Sequence, residues 1–353
     1  MGYRYKVNYR RWFHFKINFS IAYIHSIKYY LPKKELTNEE LSLEFPEWNV
    51  EKISSKTGIS KRFIAADDEF ASDMGIKAAN KLFENNKFNK NTIDFLIYCT
   101  QSPDYLIPTT ACIIQDKLNL RKVGAFDFNL GCSGYVYGLS IAKGLIAAGI
   151  AKNILFITSE TYSKFINVKD KSNRTIFGDA ASASIITKDK GICRIGDFEL
   201  GSDGSGFDNL IVKSSGVKGS KINNEIEKSD EFGNIHSDKD LYMNGPEIFN
   251  FTGSSVPNLI HSYLSKFNLS LDQIDLFVFH QANKFMLNYL RKKAKIPEEK
   301  FVLEIENSGN TVSSTIPIAL CNILEKNKVN SGSKVLLAGF GVGYSWGATI
   351  LDF

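Results

Sequence analysis

"TIDFLIYCTQS", Thr92 to Ser102, and "QIDLFVFHQAN", Gln273 to Asn283, follow one pattern: an acid, a run of large apolar residues, then a polar turn. Asp94 and Asp275 stand 181 positions apart (275 − 94). "NILFITS" from Asn153 and "KVLLAGF" from Lys334 repeat that offset (334 − 153 = 181). "FNLGCSG" with Asn129 and "GNTVSST" with Asn310 repeat it again (310 − 129 = 181). Short apolar strands match by chance, so one such pair would carry nothing. Three separate segments at one offset predict two similar halves. Buried strands alternating with helical stretches place both halves in the α/β class.

The offset sets Cys132 opposite Ser313 and His280 opposite Cys99. Each lies at the carboxyl end of a strand or at the start of the next helix, where open α/β sheets gather their chemistry. The expected halves are residues 18–190 and 191–353, the second with a Gly- and Ser-containing surface excursion over about 201–240. Residues 1–17, which include "YRRWFHFK", fit neither half and read as an extension of unknown role.

The chain has 353 residues, 43% of them hydrophobic and 23% charged, the composition of an ordinary globular protein. A net charge of +5 is too mild to argue for nucleic acid, and no apolar run reaches membrane-spanning length. Five cysteines without a CxxC pair suggest neither a disulfide framework nor a zinc site, so no metal and a reducing, cytoplasmic setting are expected.

Cys132 sits where the alternating run Val123–Leu130 hands over to a helix, framed by Gly131 and Gly134. A thiol there meets unpaired N–H groups and the positive end of the helix dipole, which favours its thiolate. Cys99, Cys112, Cys193 and Cys321 lie in apolar runs and read as structural, the commoner fate of a cysteine. His280 ends an apolar strand and should point into a site at that edge. Asn310 precedes an apolar helix, where capping is the plain alternative. "GFGVGYSWG" (339–347) leaves no room for a following βαβ unit, so it is no dinucleotide loop; it reads as a loop bringing N–H groups to a ligand.

"YLPKKELTNEEL", "KTGISKR", "GCSGYVYGL", "FGDAASA", "HQANKFM", "GNTVSSTIPIAL" and "GFGVGYSWG" occur in that order. Together they resemble the beta-ketoacyl-[acyl-carrier-protein] synthase III family from about residue 18 to the C-terminus. The resemblance implies the thiolase fold, two similar α/β halves in five αβαβα layers, and a homodimer. It also implies a Cys132, His280, Asn310 triad that condenses an acyl-CoA primer with malonyl-acyl carrier protein, without a cofactor. Cys132 would carry the acyl group. His280 and Asn310 would both donate to the enolate oxygen left by decarboxylation, so no carboxylate need accompany them. The N–H groups of Cys132 and Val342 would form the oxyanion hole. Lys56, Lys171, Asn283, Ile107 and Phe340 fall at substrate-binding positions, with Ile107 reaching the partner subunit's acyl pocket. Lys284, Arg291, Lys292 and Lys295, at spacings of seven, eight and eleven from the first, are expected on one carrier-docking face.

Several positions depart from the family pattern. Val342 replaces a loop glycine, and Ile107 replaces an aromatic residue. Lys56 and Lys171 stand for arginines, and Phe285 stands for a docking arginine. The tryptophan expected four residues before Lys56 is Lys52, with Trp48 a helical turn earlier. A related synthase or acyltransferase of a specialised glycan or secondary-metabolite pathway, using the same site, is the nearest rival. A cysteine hydrolase would release free acid without decarboxylation, and a non-catalytic partner subunit would lack the nucleophile. A hydroxymethylglutaryl-CoA synthase would need a catalytic glutamate that no motif supplies.

Overall fold

A computed structural model describes residues 21–86, 88–219, 221, 226–231 and 233–353. The extension expected over residues 1–17 lies outside them. The main strands are β1 (Tyr23–Tyr30), β2 (Phe95–Cys99), β3 (Gly124–Phe128), β4 (Asn153–Glu160), β5 (Ala180–Thr187), β6 (Cys193–Ser202), β7 (Leu276–Phe279), β8 (Lys334–Gly341) and β9 (Ser345–Asp352). They hydrogen-bond in the order β7-β8-β9-β6-β1-β5-β4-β2-β3. The joint between β6 and β1 is only two residue pairs, Tyr23 with Arg194 and Ile24 with Cys193. On either side of it lies one copy of the same sheet.

The 181-residue offset is carried into the register. β2 pairs in parallel with β4, Phe95 opposite Ile154. β7 pairs in parallel with β8, Leu276 opposite Val335, each residue 181 further along (276 − 95, 335 − 154). β3 extends the first sheet beyond β2, and a parallel bridge from Phe277 to Phe301 takes the corresponding place beyond β7.

Strand side chains alternate between two faces, so a strand covered on both sides needs a continuous apolar run. In β4, Ile154 and Phe156 face one core, while Leu155 and Ile157 face another. In β8, Val335 and Leu337 join the first of these cores, while Leu336 and Ala338 join a third. The shared core holds the helices α3 (Gly134–Ala147) and α6 (Thr315–Glu325), packed between the two sheets through Leu139, Ala142, Ile316 and Leu320. Each large aliphatic side chain buried there contributes about 1.5–3 kcal/mol. Outside the first sheet lie α1 (Ala71–Asn86) and α2 (Thr110–Lys117); outside the second lie α4 (Gly245–Lys266) and α5 (Lys284–Lys293). The result is five layers, helix–sheet–helix–sheet–helix.

The excursion expected on the surface over 201–240 is partly structural. A short strand, Leu210–Val212, pairs with Leu241–Met243. Leu210 and Leu241 are buried against Cys132 and Phe177, which makes this segment a wall rather than an outgrowth.

Candidate active site

Cys132 occupies the loop between β3 and α3, closed by the Gly134 N–H donating to the Gly131 carbonyl at 2.8 Å. The Ser133 hydroxyl meets that of Ser345 at 2.7 Å and ties the loop to β9. Glycine is needed where chains crowd the sulfur. A Cβ on Gly134 would fall 2.4 Å from Cys99 Sγ, and one on Gly341 would fall 2.8 Å from Cys132 Cβ and 3.1 Å from its Sγ. The thiol differs from the sequence expectation of a favoured thiolate. Burial pushes its pKa up, and the nearby Glu160 carboxyl adds to the effect; the backbone at Cys132 lowers it less. Desolvation outweighs the helix end here, because the charged sulfur would be buried among mostly apolar walls.

His280 follows β7 directly, its N–H donating to the Ala338 carbonyl at 2.8 Å. Burial pushes the imidazole pKa down to about 3, so the ring is neutral. Its Nδ1 lies 2.7 Å from Thr315 Oγ1, and its face meets the Phe340 ring edge-on at 5.6 Å. Asn310 lies in the loop before α6, its N–H donating to the Ile176 carbonyl at 2.9 Å. Its Oδ1 accepts from the Val312 N–H at 2.9 Å, which leaves the amide NH2 as the end available to the cavity. Val312 itself has φ 54°, a left-handed conformation that a β-branched residue rarely adopts. Such backbone persists only where its surroundings fix it, and here the Val312 carbonyl accepts from the Thr315 hydroxyl at 3.1 Å.

Cys132, His280, Asn310, Asn283, Phe340 and Val342 line one cavity of about 190 Å³. Its remaining walls are mostly apolar, among them Phe177, Leu210, Met243 and Phe249. Among the described residues, neither the Cys132 nor the Val342 N–H is engaged in a turn or cap hydrogen bond. No group of three His, Cys, Asp or Glu side chains among the described residues could hold a metal.

One buried acid escaped the sequence reading. Glu160, at the end of β4, accepts from the Gln101 N–H at 3.0 Å, from the Ser102 hydroxyl at 3.3 Å and from the Ser313 hydroxyl at 2.8 Å. Burial raises its pKa to about 8, so near neutrality it is largely protonated. The expectation that no carboxyl accompanies the triad therefore needs amending: Glu160 is buried behind the nucleophile and joins the two halves through Ser313. The 181-residue offset sets Glu160 opposite Gly341 (341 − 160 = 181), a pairing that does not mark it as a buried acid.

Two profiles match the chain: "3-Oxoacyl-[acyl-carrier-protein (ACP)] synthase III" over residues 126–204, and its C-terminal counterpart over residues 264–353. A beta-ketoacyl-[acyl-carrier-protein] synthase III of Clostridium perfringens is 37% identical over 322 residues, covering 91% of this chain and 96% of that protein. The chain belongs to the beta-ketoacyl-[acyl-carrier-protein] synthase III family. A crystal structure of a 3-oxoacyl-(acyl-carrier-protein) synthase III superposes with a TM-score of 0.92 at 46% identity, over 94% of this chain and all of the other. A synthase of this type from Burkholderia xenovorans superposes with a TM-score of 0.85 at 35% identity, over 94% of this chain and 93% of the other. The five layers are thus the thiolase fold of the synthase III family.

Around the synthase III cavity the peripheral residues divide. At the displaced Trp48, Lys52 and Lys56 of the helix Val50–Thr57 lie over the ring, each Nζ 5.2 Å from the centroid. Trp48, Lys56, Thr175 and Phe285 line a second cavity that shares Ile176 and Asn283 with the first. Lys171 lines neither; its Nζ pairs with Glu47 at 2.9 Å. Ile107 is 88% exposed, beside exposed Tyr105 and Leu106, and is outside both cavities of its own chain.

The expected basic face is only half formed. Lys284 and Lys292 flank one depression with Phe285 and Tyr289. Arg291 turns away, donating to the Ile296 carbonyl at 3.3 Å and pairing with Glu298 at 3.1 Å. Lys295 lies past the end of α5 in a left-handed conformation, φ 57°, which takes it off the helical spacing. Cys112 also departs from expectation: it is exposed, whereas Cys99, Cys193 and Cys321 are buried.

Proposed function

We propose that the chain catalyses decarboxylative condensation of an acyl-CoA primer with malonyl-acyl carrier protein, giving a 3-oxoacyl-acyl carrier protein and opening fatty acid synthesis. The observation that carries this reading is the meeting of Cys132, His280, Asn310 and Val342 in one mostly apolar cavity. The Cys132 sulfur attacks the thioester carbonyl. A new C–S bond forms, the bond to the CoA sulfur breaks, and the thiol proton passes to that sulfur, so CoA leaves as the free thiol. Because the resting thiol is protonated, its ionisation is coupled to this attack. The Cys132 and Val342 N–H groups stabilise the oxyanion, each worth roughly 3 kcal/mol.

In the second half-reaction malonyl loses carbon dioxide, and the enolate oxygen accepts from His280 Nε2–H and the Asn310 amide. The enolate carbon attacks the acyl-cysteine, forming the C–C bond as the bond to sulfur breaks; Cys132 departs as the thiolate and takes a proton from solvent to return to the thiol. A neutral imidazole suits this donor role, and burial keeps His280 neutral. The steps as written use no cofactor.

CoA enters past Trp48 and Lys56, and the carrier docks at Lys284 and Lys292. The exposed Tyr105–Ile107 segment and the open edge of β3 support a homodimer in which Ile107 reaches the partner's acyl pocket. Residues 18–190 and 191–353 serve as the nucleophile-bearing and the His- and Asn-bearing halves. Five free thiols accord with a reducing cytoplasm. The test is intact mass after incubation with a panel of acyl-CoAs, followed by malonyl-acyl carrier protein. Acyl loading on Cys132 followed by a 3-oxoacyl carrier product supports the reading. Loading with transfer to another acceptor favours the specialised pathway, and free acid without carbon dioxide favours a hydrolase.

A further inference from the structure

A neutral imidazole carries one proton, and the nitrogen that holds it decides what the ring can do. The enolate step needs a proton on Nε2 and therefore a bare Nδ1. What faces Nδ1 selects between the two tautomers. The Val312 carbonyl, which can only accept, lies within reach of the Thr315 hydroxyl and competes for its proton. The Thr315 hydroxyl stands 2.7 Å from Nδ1 and 3.1 Å from the Val312 carbonyl, and its single proton can be donated to either.

We infer that Thr315 is a positioning residue that donates its hydroxyl proton to His280 Nδ1 and so holds the ring in the Nε2–H form used against the enolate. The nearer contact is to the imidazole, a stronger acceptor than an amide oxygen. Thr315 is buried at the first turn of α6, five residues beyond Asn310, so one loop-and-helix unit positions both donors. The left-handed Val312 between them fixes the competing carbonyl. Without the hydroxyl, Nδ1 would lose this donor, and the ring's proton would no longer be held on Nε2 by it.

This inference rests on the enolate role proposed for His280, and the two can be told apart. Thr315→Val keeps the shape and removes the hydroxyl. It should load acyl groups within a few-fold of wild type, which also certifies its fold, while decarboxylation falls roughly 10²-fold or more, the loss typical of one such donor. Thr315→Ser should restore decarboxylation. Independently of any variant, 15N spectra of the His280 ring in the wild-type acyl-enzyme should show Nε2 protonated. Wild-type decarboxylation in Thr315→Val, or a proton on Nδ1 in the wild type, overturns the assignment of Thr315. Should Asn310→Ala also decarboxylate normally, the enolate reading itself fails; if Asn310→Ala is impaired and Thr315→Val is not, only the tautomer argument falls.

Discussion

Gly341→Ala puts a methyl group against the nucleophile. The added carbon would stand 2.8 Å from Cys132 Cβ and 3.1 Å from Sγ. Ordinary carbon contacts lie at about 3.5–4.0 Å. Either Cys132 or the end of β8 must therefore give way by about 0.5–1 Å. Both are hemmed in, since a Cβ on Gly339 of the same strand would likewise fall 2.8 Å from Ser133 Cα. Overpacking of this kind costs about 1–3 kcal/mol of stability. A reacting atom displaced by about 1 Å costs on the order of 10²-fold in rate. Single-turnover acyl loading, followed by intact mass, should slow by about 30- to 100-fold while the protein stays folded by thermal melt. Gly144→Ala is the control: it lies on α3 with nothing within 4 Å of its added methyl, so loading should be unchanged and stability slightly higher. Loading of Gly341→Ala within threefold of wild type would refute the packing argument.

Three further outcomes follow from the same geometry. Glu160 has a folded pKa of about 8 against an ordinary 4.5, so the folded state holds a proton that the unfolded state releases in that window. The contribution of Glu160 to stability falls as pH rises from about 4.5 to 8; Glu160→Gln removes that contribution, so the stability of the variant relative to wild type should rise by up to about 1.4 kcal/mol per pH unit in paired melts, a flat difference contradicting the assignment. Lys284→Glu with Lys292→Glu should raise KM for the carrier-bound malonyl substrate, more at low salt, with acyl-CoA loading unaffected; a salt-independent wild-type KM would remove α5 as the docking face. Ile107→Phe should shift primer preference toward shorter acyl-CoAs by about 1–3 kcal/mol of discrimination, and an unchanged profile would mean that Ile107 does not reach a partner's pocket.

The sequence carried the architecture because the duplication is written in strand patterns, and a strand buried on both faces has to be apolar throughout. Cys132 and His280 were legible from the strand ends they follow, whereas Asn310 was singled out only by the family resemblance. What the sequence hid is what depends on environment. Charge at Cys132 is governed by desolvation, which no helix-start pattern reveals. Arg291 fits the basic spacing, yet Glu298 and the Ile296 carbonyl draw it back. Trp48 appears misplaced by one turn until the helix beside it carries Lys52 and Lys56 over its ring. Thr315 and Glu160 sit among many Ser, Thr and Glu residues, and only their partners single them out.

The central claim is that Cys132 carries the acyl group while His280 and Asn310 serve the enolate. The direct measurement follows both half-reactions in His280→Ala and Asn310→Ala: acyl loading by intact mass, and carbon dioxide release from labelled malonyl-acyl carrier protein. The account predicts loading near the wild-type rate in both variants, with release reduced by roughly 10²–10³-fold. Wild-type release in both, or loading lost in step with release, would contradict it.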